Sequence, residues 1–161
     1  MKTLANAFAV KTLANERDRN DIERRLKMVG PDSQRRWGRM TAHQMVCHLS
    51  DSFLAVTGRK HMSMATGPLQ RTVIKWVALH APLPWPTGYP TRPEIDQAIG
   101  GTRPSDFAAD VALLETLFVE FTTDPADLDG LVHPIFGPMS QSDWLRWGYL
   151  HMDHHLRQFG S

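Results

Sequence analysis

The alternation of apolar and polar positions along this chain predicts helices, and caps and breakers mark most of their ends. Residues 16–29, ERDRNDIERRLKMV, predict a charged amphipathic helix with Ile22, Leu26 and Val29 on its apolar side, ended by Gly30-Pro31-Asp32-Ser33. Thr41 followed by Gln44 is a capping-box signature, and it opens a helix running to Thr57 and stopped by Gly58. That helix is apolar around most of its circumference, so it is expected to be largely buried. A shorter helix is predicted over roughly Leu69 to His80, carrying Ile74, Trp76 and Val77. Ser105 is expected to cap a further helix ending near Thr122, with Phe107, Val111, Leu114, Phe118 and Phe121 on its buried side. The last helix starts at Ser140, with Asp143 three residues on, meets no proline, and stops at Gly160.

Between the short helix and Ser105 the sequence APLPWPTGYPTRPE holds prolines at 82, 84, 86, 90 and 93, which forbid continuous helix or a central strand. A connection of that length permits two consecutive long helices to run parallel. No internal repeat and no convincing strand emerges. The expected architecture is all-α: a four-helix bundle with an inserted short helix and a Pro-rich crossover, in one domain over residues 16–161. Residues 1–15 read as a loose leader and not a signal peptide, because the apolar run is broken by Asn6 and Lys11.

Composition narrows the function classes. The 161 residues, with 42% hydrophobic and 22% charged side chains, suit one soluble globular domain. A formal net charge of +1 without a long run of one sign gives no footprint for nucleic acid, and no segment is long enough to span a membrane. The single cysteine excludes an internal disulfide framework and fits a reducing, cytoplasmic setting.

The chemistry lies in the histidines. On the last helix His151 and His155 are one turn apart and only about 40° apart around the axis. They share a stripe with Trp144 and Gly148, with Gln158 beside it. Leu145, Tyr149, Met152 and Leu156 form the adjoining apolar stripe, and Arg146, Asp153 and Arg157 fall on a third side expected to face solvent. Both imidazoles therefore point inward, where metal ligation and a hydrogen-bonded core network each satisfy their nitrogens. On the second helix His48 lies beside the apolar sector, about 140° from His43, which falls in the polar sector and is expected at the surface. Three neutral imidazoles from two facing helices suit one divalent ion such as Zn²⁺, Ni²⁺ or Fe²⁺, with coordination left open for water or substrate. The Glu-x-x-His pairs of a ferritin-like di-iron centre are missing.

The remaining candidates are weaker. Asp51, one turn after His48, reads either as a group orienting a ligand or bound water, and the first general base to try, or as an ordinary partly buried helix aspartate. Asp153 lies about 160° from His155 and is rejected as a ligand. Cys47 is about 100° from His48 and reads as a small core residue. His154 is off the stripe, His133 is expected to pack within its loop, and Trp144 and Trp147 read as core or pocket wall.

The phrases WGRMTAHQMVCHL, PWPTGYPTRPE and HPIFGPMSQSDWLRWGYLHMDHHLRQFG resemble the DinB/YfiT-like metalloenzyme superfamily, the most specific piece being His151, His155 and Gln158 in the pattern His-x-x-x-His-x-x-Gln. The resemblance covers most of the chain after about residue 16. It implies an up-down-down-up bundle, a nickel- or zinc-type ion on His48, His151 and His155, and often a homodimer. It also implies a small-molecule substrate handled with a low-molecular-weight thiol, as in the thiol-dependent transferases and isomerases of that superfamily. On this reading the protein is a metal-dependent enzyme, either a thiol-dependent S-transferase or a hydrolase. The alternative is a non-catalytic metal- or ligand-binding bundle.

Overall fold

The computed structural model describes residues 10–161 and is mainly helical. Helix α1 spans Glu16–Leu26, α2 Ala42–Val56, α3 Lys75–His80, α4 Phe107–Thr123 and α5 Gln141–Gln158. A π-helical turn, Gln70–Ile74, leads directly into α3. Among the described residues no helix is long and apolar enough to cross a membrane.

Local chemistry explains the helix starts. The side chain of Asn15 accepts from the Arg17 amide at the head of α1. Thr41 and Gln44 form a reciprocal capping box on α2, and Ser140 and Asp143 form another on α5, each satisfying donors that the first turn leaves without helical partners. The start of α4 differs by one residue from the sequence expectation. Asp106, not Ser105, is the cap and accepts from Ala109, while the Ser105 amide donates to the side chain of Asp110. Aspartate and serine cap about equally well, so adjacent candidates are separated only by where the backbone turns into the helix.

Helix α5 is the centre of the molecule. It packs against α1, α2 and α3, while α4 lies along α2. Trp144, Met152 and Leu156 of α5 are fully buried beside Met45 and Leu49 of α2 and Leu114 of α4. Each such side chain contributes about 1.5–3 kcal/mol relative to an exposed position. The backbone comes close at Gly148, where an added Cβ would lie 2.7 Å from Leu13 Cδ1 and 2.9 Å from Phe121 Cε1.

Because α5 is surrounded, its charged side does not face open solvent as the periodicity suggested. Asp153 pairs with Arg25 of α1 at 2.8 Å and with Arg157 at 2.9 Å, and Arg146 donates to the carbonyls of Leu79 and Lys11. Part of the stretch read as a leader is described. Leu13 is fully buried and its amide donates to the Leu145 carbonyl, so residues 11–15 belong to the folded body. Residues 1–9 lie outside the described residues.

The absence of strands is a further expectation that the structure revises. Val132–His133 (β1) and Gly137–Pro138 (β2) pair antiparallel in a small hairpin. His133 builds its turn: Nδ1 accepts from the amides of Ile135 and Phe136, and the ring stacks on Phe136. Burial pushes this imidazole down to about 3, which keeps it neutral.

Candidate metal centre

His48 from the middle of α2 and His151 and His155 from α5 converge, with ligand-capable atoms all within 4.8 Å of one another. They retain 4%, 8% and 8% of their exposure. Burial lowers the pKa of all three and, with a smaller push from neighbouring imidazoles, takes His151 and His155 well below the usual histidine range. They are therefore neutral at physiological pH, the state in which imidazole ligates.

Two of the three tautomers follow from neighbouring groups. His48 Nδ1 lies 2.9 Å from the Ile95 carbonyl, which can only accept, so Nδ1 carries the proton and Nε2 presents a lone pair. His155 Nδ1 lies 3.0 Å from Oε1 of Gln158, whose amide nitrogen donates to the Trp37 carbonyl at 2.9 Å. That second bond fixes which end of the Gln158 amide faces the histidine, so His155 also turns Nε2 inward. The Trp37 carbonyl can approach because Gly38 follows it, with φ +76°, and a Cβ there would lie 2.6 Å from Gln158 Nε2.

His48 Nε2 and His151 Nε2 face each other at 3.2 Å. Either His151 carries the proton and donates across this gap, or both nitrogens offer lone pairs to a cation. Four nitrogens around a tetrahedral zinc at about 2.05 Å stand about 3.3 Å apart, so the observed separation fits a shared ion. The donor set fits equally: three imidazoles suit zinc, nickel or iron, and nothing in it closes the fourth position.

Aromatic rings wall the cluster. Trp147 lies 5.0 Å from His151 between centroids. Trp85, from the Pro-rich segment, lies 6.0 Å from His151 and 6.2 Å from His154, and its indole donates to the Ala78 carbonyl. The proline-rich connection thus folds back over the cluster. His154 sits beside His155 and between Trp37 and Trp85, with Nδ1 buried and without a partner among the described residues.

Asp51 is fully buried, and its carboxylate is already engaged. Oδ2 accepts from the Thr102 amide at 2.7 Å and Gln97 Nε2 at 3.0 Å, while Oδ1 accepts from the Thr102 hydroxyl at 2.7 Å and faces Lys60 at 3.2 Å. Asp51 therefore ties Gln97 and Thr102 to α2, and Ile95, two residues before Gln97, supplies the carbonyl that orients His48. These contacts engage both oxygens of the Asp51 carboxylate.

His43 does not lie free at the surface: its Nε2 is 2.7 Å from Asp110 Oδ2 of α4, and Cys47 Sγ is 3.7 Å from the same oxygen. Burial and the nearby carboxylate push the Cys47 thiol up to about 12, so without a bound cation it stays protonated and is no nucleophile. Sequence reasoning missed Ile95, Trp37 and Trp85 as neighbours of the cluster. A carbonyl partner has no residue-type signature, and Trp85 was visible only as part of the proline-rich phrase.

The fold and cluster define a mainly helical protein with three inward histidines on two adjoining helices. Residues 14–161 match the family described as "Protein of unknown function (DUF1569)", and the chain belongs to it. No curated protein and no solved structure matches.

Proposed function

We propose that this protein binds one divalent ion, of the zinc or nickel class with iron as the third choice, through Nε2 of His48, His151 and His155. The observation that carries the reading is the convergence of these three buried, neutral imidazoles, two of them held by an outer hydrogen bond with the ligating nitrogen inward. On this reading the helices form a four-helix bundle of the DinB/YfiT-like kind, in up-down-down-up order, with the Pro-rich segment as crossover.

We further propose that the protein is a metal-dependent enzyme acting on a small molecule, either as an S-transferase using a low-molecular-weight thiol or as a hydrolase, in the cytoplasm and as a homodimer. A divalent ion at this site supplies Lewis acidity that lowers the pKa of a coordinated thiol or water. The chain's residues do the rest. Three neutral ligands leave the ion's double charge uncompensated in a buried place, which favours an anionic fourth ligand such as a thiolate. Gln158 and the Ile95 carbonyl hold the histidine protons on the outer nitrogens, and Trp85 and Trp147 exclude water from the face that receives substrate.

The competing reading is an ion that only ties α2 to α5, favoured by the low exposure of all three imidazoles. Metal removal separates the two. The enzymatic reading predicts that stripping the ion abolishes turnover of a thiol-plus-electrophile pair while the melting temperature barely moves. Loss of the fold without any detectable turnover would replace it with the structural reading.

A further inference from the structure

Helix α2 presents metal-binding side chains on two faces. His48 turns toward α5, while His43 and Cys47, one turn apart, turn toward α4 and meet Asp110 in its first turn. A nitrogen of His43, the sulfur of Cys47 and an oxygen of Asp110 all lie within 4.8 Å of one another. Three donors crowd one oxygen here: His43 Nε2 at 2.7 Å, the Ser105 amide at 3.0 Å and the Cys47 thiol at 3.7 Å from Asp110 Oδ2.

We propose that His43, Cys47 and Asp110 form a second cation site, for a borderline-soft divalent ion of the zinc class, independent of the three-histidine centre. The imidazole, thiolate and carboxylate set is one that zinc accepts and that magnesium and calcium do not favour. Coordination replaces the two hydrogens now directed at Asp110. The thiol proton leaves to solvent, and the His43 proton moves to Nδ1 so that Nε2 faces the ion. A thiolate and a carboxylate then neutralise the double charge, so this half-buried site needs no further anion. Access is from the surface beside the exposed Ser105, which borders the cluster. The ion would fasten α2 to α4, as the first site fastens α2 to α5.

Cys47 is the single cysteine of the chain, so a thiolate-to-metal charge-transfer band reports this position alone. The test is a Co²⁺ titration of metal-stripped, untagged full-length protein. The expected result is binding of a second equivalent accompanied by the thiolate band. Cys47→Ser should remove the band and that equivalent, whereas His151→Ala should remove the other equivalent and keep the band. Asp110→Asn and His43→Gln, which spare the cysteine if its replacement fails to fold, should shift the band's midpoint to at least about tenfold higher Co²⁺. Absence of the band in the unmodified protein would overturn the proposal, as would a midpoint unmoved by both Asp110→Asn and His43→Gln. Because His151→Ala isolates this site, its failure leaves the three-histidine reading standing.

Discussion

Gln158 holds His155 from one helical turn further on: its Oε1 lies 3.0 Å from His155 Nδ1, and its amide nitrogen is spent on the Trp37 carbonyl. The glutamine thus connects the last turn of α5, through the Trp37-Gly38 turn, to the orientation of a single imidazole. Gln158→Leu should keep the fold yet weaken divalent-ion binding by about 10–100-fold, as expected when a histidine ligand loses the partner that fixes its tautomer. Isothermal titration of the stripped protein measures this. Unchanged affinity would mean that the outer hydrogen bond has no part in ligation.

Gly38→Ala probes the same link from the other side. The new Cβ would meet Gln158 Nε2 at 2.6 Å on a backbone with φ +76°, a conformation that side chains other than glycine rarely adopt. Both stability and ion affinity should fall. At Gly148, by contrast, alanine collides with Leu13 and Phe121, neither of which is a ligand, costing about 1–3 kcal/mol of stability. Ion affinity of the folded Gly148→Ala protein should be unchanged, and denaturant melts with parallel titrations distinguish the two glycines.

Much of this was legible in the sequence where the signal is local. The Thr41/Gln44 and Ser140/Asp143 pairs sit three residues apart, and each marks the helix start that the structure shows. The inward direction of His48, His151 and His155 followed from periodicity alone, because angular position on a helix is fixed by residue number. What escaped depends on partners distant in sequence. Asp153 looked solvent-facing until Arg25, 128 residues away, covered it. The partners of Asp51, Gln97 and Thr102, lie 46 and 51 residues further on, beyond the reach of helical periodicity. The hairpin at His133 is built by a side chain accepting two backbone amides, which no two-residue periodicity can announce.

Asp51 gives a prediction that separates positioning from proton transfer. Asp51→Ala removes the acceptor of buried Gln97 and of exposed Thr102 and should cost about 1–3 kcal/mol for each donor that water cannot reach. If an activity is found, Asp51→Asn should lower it without altering the shape of its pH profile. Disappearance of a limb of that profile in Asp51→Asn would instead make Asp51 the base.

Stability should fall with acid over a defined window. His133 is held at about 3 in the folded protein against the ordinary histidine value of 6.5, so the unfolded chain binds the proton first. Its contribution is complete above about pH 6.5 and is lost at about 1.4 kcal/mol per pH unit as pH drops toward 3. His48, His151 and His155 are lowered by burial too and steepen the loss in the same direction. Urea unfolding between pH 7.5 and 5 should show this fall. A flat profile would mean that these imidazoles are not buried neutral.

The central claim is that one cation is held jointly by α2 and α5. Anomalous diffraction from crystals of protein loaded with Zn²⁺ or Ni²⁺, collected at the metal's absorption edge, tests it most directly. The account predicts a peak about 2.0–2.1 Å from Nε2 of each of His48, His151 and His155, absent when His151→Ala protein is treated identically. Density at that place without an anomalous signal, or a peak bonded to only one of the three rings, would contradict it.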